Sequence, residues 1–239
     1  MKKIQDKDAY GKGLLAYYNG NHKARFVVYS DIADTERWEI STFFRNYEKM
    51  PEVEQIALDL CKGRILDIGA GAGSHALWLQ ERHHQVTAID ISEGAVEVMK
   101  NRDVEDARLQ DFFTFKGEKY DTLLLLMNGV GIVGRIDRFG EFFTKAKELL
   151  HEGGRILLDS SNIIYLFMED DGSALIDLNS NYYGEMEYRM DYANYAGSAF
   201  DWIFIDFDTL SELAAQHGFL CEKRYEDDHF LYLAELRLK

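Results

Sequence analysis

Proline is nearly absent from the 239-residue chain, Pro51 being the only one. That excludes proline-rich linkers and the N-P-P-Y or D-P-P-Y segments of base-modifying nucleic-acid enzymes. Cysteine is scarce: Cys61 and Cys221 lie far apart, form no C-x-x-C pair and suit a reduced, cytoplasmic protein. Basic residues are outnumbered, 27 Lys and Arg against 42 Asp and Glu, for a formal net charge of -15. Nucleic acid and anionic membranes are polyanions, so that balance opposes both as partners. No apolar run reaches the ~18 residues of a membrane span. The opening "MKKIQDKDAY" lacks the apolar centre of a secretory signal. Repeats and low-complexity tracts are also lacking, so residues 1–239 are expected to fold as a single unit with local insertions.

What is present is a 46% hydrophobic composition, enough for a sizeable core, and an alternation of strand and helix signals. "RILDIG" reads as a strand and "SHALWLQERHH" as the helix after it. "QVTAID" is a second strand, with Ser92 as N-cap of "EGAVEVMKNR". "ARLQD" is a short third strand. "YDTLLLLMN" is a continuous apolar run, as a strand buried on both faces should be. Asp137 is expected to cap a helix through Leu150 that "HEGG" closes, before a fifth strand "RILLDSS". This spacing implies parallel strands joined by right-handed crossovers. Near the end, "DTLSELAAQHGF" reads as a helix and "LCEKRYED" and "HFLYLAELRLK" as an antiparallel pair. The expected class is α/β, a doubly wound, mostly parallel seven-stranded sheet with an antiparallel C-terminal strand.

Two segments lie outside that alternation. Residues 1–60 read as a helical N-terminal cap, "PEVEQIALDLC" being its clearest helix. Residues 162–203 read as an insertion. In "GEMEYRMDY", Met186, Tyr188, Met190 and Tyr192 share one face, and "AGSAFDWIFI" can pair with it across a turn near 194–197. This hairpin is either a plain cover for the core or a substrate lid. Its aromatic residues suit either an apolar pocket or a homodimer interface.

The glycines of "LDIGAGAGSHAL" follow a strand and open a helix, the context of a ligand site at a switch point of a doubly wound sheet. A dinucleotide fingerprint needs G-x-G-x-x-G, but Ser74 stands where the third glycine would fall. Asp67, two residues before Gly69, would face a pyrophosphate with like charge, a repulsion on the order of several kcal/mol in a low-dielectric site. It would attract an amino group instead. Asp90 ends the second strand, where an acid accepts from ribose hydroxyls. Asp111 ends the third, where it can accept from an exocyclic amine. Each aspartate alone is equally a helix cap or turn partner. Together they imply a positively charged nucleoside without phosphate, which S-adenosylmethionine is.

The stretches "GRILDIGAGAG", "VTAIDIS", "QDFF", "YDTLLLLMNGVG" and "LLHEGGRILLDSS" resemble class I S-adenosylmethionine-dependent methyltransferases, most of all small stand-alone bacterial enzymes of the type 11/25 group. The resemblance covers about 64–161, and the C-terminal helix and strands look like that fold's closure. It implies a Rossmann-like methyltransferase domain with S-adenosylmethionine as cofactor. It also implies that Asp67, Gly69, Ala70 and Gly71 line the methionine side, and that Asp90 takes the ribose with Ile91 against the adenine. Asp111 takes the adenine amine with Phe112 beside it, and Met127 and Asn128 lie near the sulfonium. In similar enzymes N-terminal helices close over the cofactor. Arg45 is then either a partner of the methionine carboxylate or half of a surface ion pair, with Tyr10 and Tyr17 as weaker members of the lid.

"GVGIVG", 129–134, satisfies G-x-G-x-x-G literally, but its helix starts only near Asp137, so no pyrophosphate would sit at a helix N-terminus. It is either a flexible wall beside the methyl group or a plain connection. Methyl transfer needs positioning and exclusion of water, and a base only when the acceptor must lose a proton. No residue announces itself as that base or as a metal ligand set. The histidines, His75 among them, are expected at the surface or in capping roles. The 159–162 segment is better placed for contact with a small-molecule substrate. The alternatives are a nicotinamide-dependent oxidoreductase, disfavoured by Asp67 and Ser74, and a non-catalytic S-adenosylmethionine-binding protein.

Overall fold

The computed structural model describes residues 4–169, 173 and 181–239. The chain opens with β1 (Ile4–Gln5), α1 (Ala9–Tyr18), β2 (Arg25–Ser30), β3 (Glu36–Glu39) and α2 (Glu52–Leu60). The alternating part follows as β4 (Arg64–Ile68), α3 (Ser74–Glu81), β5 (Gln85–Asp90), α4 (Glu93–Asn101), β6 (Ala107–Leu109), β7 (Tyr120–Leu125), α5 (Phe139–Leu149) and β8 (Leu150–Ser161). A hairpin of β9 (Glu185–Tyr192) and β10 (Tyr195–Ile203) comes next, then α6 (Phe207–Gln216), β11 (Phe219–Glu226) and β12 (Leu231–Leu238).

The larger sheet runs β11-β12-β8-β7-β4-β5-β6. Its β6, β5, β4, β7 and β8 are parallel, and β12 is antiparallel to β8 and to β11. It is the doubly wound seven-stranded sheet expected. Successive strands step outward from β4 through β5 to β6, then return to β7 on the other side. The order therefore reverses between β4 and β7, which puts a crevice at their carboxyl ends. Leu123, Leu124 and Leu125 of β7 are fully buried, because helices cover both faces of the sheet. Ser92 caps α4 by accepting from the Ala95 amide at 3.0 Å, as its sequence predicts.

The smaller sheet, β1-β10-β9-β2-β3, corrects the reading of residues 1–60 as helical. β2 and β3 pair with each other, and β2 pairs with β9, so the N-terminal segment and the inserted hairpin build one sheet. In "RFVVYS" the buried Phe26 and Val28 alternate as a strand should. The partner lies more than 150 residues away, so local pattern alone does not reveal the pairing. The hairpin turns at Ala193 and Asn194, tighter than expected, with Ala193 in the left-handed region. Asp191 is buried there and accepts from the Gly197 amide at 3.1 Å.

Two further boundaries shift. Asp137 lies in a 3-10 turn, Ile136–Arg138, and Arg138 is the N-cap of α5. At the other end α5 passes directly into β8 at Leu150, and "HEGG" lies within that strand instead of closing the helix. Residues 170–172 and 174–180 of the 162–203 insertion lie outside the described residues.

Candidate active site

A cavity of about 490 Å³ opens at the carboxyl ends of β4, β5 and β7 and is roofed by the smaller sheet. That is within the usual size range of small-ligand sites. Asp67, Asp90 and Asp111 all line it, so the three strand-end carboxylates face one space. Gly69, Ala70, Gly71, Ile91, Phe112, Met127, Asn128 and Arg45 line it as well.

Each carboxylate is held differently. Asp67 is 2% exposed, and one of its oxygens has no hydrogen-bond partner. Burial pushes its carboxyl up to about 6, with His75 pulling it down and Asp90 adding to the rise. A buried acceptor without a donor is costly, so a ligand donor that reached this oxygen would be favoured. Asp90 is buried and accepts from the Gly71 amide and the Ser92 amide, each at 2.9 Å. Burial raises its carboxyl, and those two amides oppose the rise. It therefore ties the glycine turn to the end of β5 while facing the cavity. Asp111 is exposed and accepts from the Phe113 and Thr114 amides at 2.8 and 3.2 Å through a single oxygen. Asp90 and Asp111 thus serve as local caps and as cavity wall together.

The turn itself requires glycine. Gly69, Gly71 and Gly73 have φ of 71°, 55° and 80°. A Cβ on Gly71 would stand 2.8 Å from the Tyr10 hydroxyl, and one on Gly73 would stand 2.8 Å from Val104. The backbone can therefore approach a ligand on one side while Tyr10 closes down on the other. Asp8 fixes that closure. It accepts from the amide of Gly11 in its own helix, from Ser92 Oγ at 2.6 Å and from the Gly94 amide at 2.8 Å, joining the start of α1 to the start of α4.

Beneath the turn lies a charge cluster that the sequence did not announce. His75 is expected at the surface, but it is buried, and its Nε2 lies 2.8 Å from Glu54 Oε2. Glu54 is 3% exposed and is also ion-paired with Arg45. Burial works to lower the His75 imidazole, but the Glu54 hydrogen bond and charge, with Asp67, leave it above its ordinary value. Arg45 is thus engaged by a buried partner from α2 instead of a surface one. Glu54 was findable: it shares the buried face of α2 with Val53, Ala57 and Leu58, where a lone charge needs a counter-ion.

On the opposite side, Met127 and Asn128 follow β7 with φ of 66° and 55°, a conformation unusual for non-glycine residues. Asp159 lies behind them, 2% exposed, and accepts from the Gly129 amide at 3.1 Å. Burial pushes its carboxyl up to about 7 against the pull of the Asn128 and Gly129 amides. Ser161 donates to Asn128 Oδ1 at 3.1 Å, and Ser160 accepts from the Ile205 amide. Asp159, Ser160 and Ser161 therefore brace the wall and do not line the cavity, contrary to the expectation of substrate contact. "GVGIVG" forms a 3-10 turn over Gly129–Val133. A Cβ on Gly131 would overlap the indole of Trp202, so this glycine seats a ring of β10.

Tyr188, Met190, Phe200 and Trp202 of the hairpin join Trp38 and Phe43 in the wall. Among the described residues no group of His, Cys, Asp and Glu suits a metal ion, and no helix is long and apolar enough to cross a membrane.

An orphaned carboxylate oxygen over a glycine turn, with further carboxylates at the neighbouring strand ends, fits a cationic, phosphate-free nucleoside. Comparison with known proteins agrees. The methyltransferase-domain family model matches residues 65–154. The S-adenosylmethionine-dependent methyltransferase from Bacteroides fragilis, solved with S-adenosyl-L-homocysteine, is 44% identical. That match covers 100% of this chain and 98% of that one, with a TM-score of 0.91. The chain belongs to the S-adenosylmethionine-dependent methyltransferases, and S-adenosylmethionine is its cofactor. The CcbJ methyltransferase from Streptomyces caelestis shares the fold at 15% identity, 98% and 99% coverage and a TM-score of 0.65. The glycopeptide N-methyltransferase MtfA, solved with S-adenosyl-L-methionine, shares it at 15% identity, 81% and 87% coverage and a TM-score of 0.56. Among curated proteins none matches at a significant level.

Proposed function

We propose that this methyltransferase acts on a small-molecule acceptor held between the glycine turn and the inserted hairpin, within a single domain spanning 1–239. The observation that carries the reading is one cavity whose floor is strand-end carboxylate and glycine and whose roof is the aromatic face of the smaller sheet. A cavity of about 490 Å³ suits a compact acceptor better than a polymer. The net charge of -15 likewise disfavours nucleic acid. The inward packing of Tyr188 against Trp38 and of Tyr192 against Phe26 favours the pocket role of the hairpin over a homodimer role. Both cysteines are free, which suits the cytoplasm.

S-adenosylmethionine supplies an electrophilic methyl group on a sulfonium. Asp67 offers its unpartnered oxygen to the ammonium of the methionine part. Gly69, Ala70 and Gly71 present backbone along that part, and Arg45 reaches its carboxylate from the Glu54 ion pair. Asp90 accepts from the ribose hydroxyls, and Ile91 and Phe112 flank the adenine, whose amine donates to Asp111. Met127 and Asn128 form the wall beside the sulfonium. Tyr10 and α1 exclude water from above, and positioning with dehydration is the main contribution the chain makes to rate.

The test uses S-adenosylmethionine tritiated on its methyl group, with a cell extract separated into low-mass and macromolecular fractions. Label entering the low-mass fraction only when the protein is present is the expected result. Label confined to nucleic acid or protein would overturn the reading.

A further inference from the structure

The acceptor side of the cavity is walled by rings. Trp38 from β3, Tyr188 from β9, Phe200 and Trp202 from β10, and Phe204 just beyond it all line the cavity. The Tyr188 ring lies 6.4 Å from Trp38, 6.2 Å from Phe200 and 6.4 Å from Phe204. Phe200 and Trp202 stand 6.0 Å apart at 80°, edge to face. Trp202 is fixed from behind by Gly131, and Tyr188 is held as a neutral phenol, its hydroxyl pushed up to about 12 by burial.

Asp201, between Phe200 and Trp202 in sequence, pairs with Glu187 in the β10–β9 ladder, and strand alternation turns its side chain to the face opposite the two rings. Of the positive groups in the wall, Arg45 is committed to Glu54 and His75 is bound to the same carboxylate. Lys7 stands exposed at the edge. Ring faces carry negative potential and attract organic cations, by about 2 kcal/mol where the cation is desolvated. A carboxylate or phosphate on the acceptor would meet the same ring faces with like charge. A hydroxyl acceptor needs a base to remove its proton. An ammonium must lose a proton too, but with a pKa of about 10 a fraction of it is free amine near neutral pH, without a base from the protein.

Resting on the small-molecule reading above, we infer that the acceptor is an amine-bearing organic molecule whose nitrogen is gathered by the rings of Trp38, Tyr188, Phe200 and Trp202, and that methylation falls on that nitrogen. The ammonium form first gives its proton to water. The nitrogen lone pair then forms the N–C bond as the S–C bond breaks, its electron pair staying on sulfur. The product is an ammonium with one more methyl group, and it releases a proton to water if nitrogen still carries one.

The test is calorimetric titration of the S-adenosylhomocysteine-saturated protein with three probes of similar size: benzyltrimethylammonium, benzyl alcohol and phenylacetate. The expected result is that the cation binds about tenfold or more tighter than either of the others. Tyr188→Leu and Trp202→Ala should each shrink that preference several-fold while the affinity for S-adenosylhomocysteine stays that of the parent. Should Trp202→Ala fail to fold, Tyr188→Leu carries the test alone. If the alcohol or the carboxylate binds as tightly as the cation, the amine class is wrong and the small-molecule reading survives. If none of the three binds, the amine class is wrong, and the tritium experiment alone decides the small-molecule reading.

Discussion

Glu54 and His75, 21 residues apart in sequence, meet at 2.8 Å in the interior below the glycine turn. The same Glu54 carboxylate holds Arg45, so one acid from α2 neutralises two groups that border the cofactor side of the cavity. Removing one member of a buried ion cluster leaves the others uncompensated, which costs about 3–5 kcal/mol. Glu54→Ala is therefore expected to lower the unfolding free energy by about that amount in urea denaturation. It should also lower the His75 imidazole, because the Glu54 hydrogen bond and charge that offset burial are gone and only Asp67 still raises it. Proton NMR of the imidazole reads that shift, and an unchanged His75 titration would contradict the arrangement.

Asp67 makes stability and binding depend on pH in opposite directions. Its carboxyl stands near 6 in the folded chain, above the ~4 of an unfolded one. The stability it contributes is therefore full below about pH 4 and is lost as pH rises through about 6. The stability of the parent minus that of Asp67→Asn should fall across that window and level off above it. Ligand affinity runs the other way, since only the ionised acid pairs with an ammonium. Calorimetric affinity for S-adenosylhomocysteine should rise between about pH 5 and pH 7 in the parent and be weak and flat in Asp67→Asn.

Gly131 is the seat of Trp202. Gly131→Ala places a methyl group where the indole now lies, and overpacking of this kind costs about 1–3 kcal/mol. Thermal unfolding should register that loss. The affinity for S-adenosylhomocysteine should stay close to that of the parent, because the displaced ring belongs to the acceptor side. Equal loss of cofactor affinity would show that the two halves of the cavity are not separable.

Much of this was legible in the sequence. Strand and helix alternation gave most of the larger sheet, since β4, β5 and β7 are short apolar runs each followed by a helix, α3, α4 and α5. Asp67, Asp90 and Asp111 were legible because a strand end in a doubly wound sheet is a fixed address at the ligand crevice. What escaped was long-range. β2 and β3 are short, and β2 needs β9, which follows the last parallel strand of the larger sheet in the chain, as its partner. His75 looks polar and terminal in sequence, and only the approach of α2 buries it against Glu54. Asp8 lies in a charged N-terminal stretch whose role depends on α4, 86 residues away from it at Gly94.

The central claim is that a crevice lined by strand-end carboxylates holds an adenosine compound without phosphate, with Asp90 on its ribose. Its most direct measurement is calorimetric titration of S-adenosylhomocysteine into the parent protein and into Asp90→Ala, with NADH as the comparison ligand. The account predicts binding by the parent, a loss of roughly a hundredfold or more in Asp90→Ala as hydrogen bonds to a charged group disappear, and no tight binding of NADH. An Asp90→Ala protein that binds S-adenosylhomocysteine as well as the parent does would contradict it.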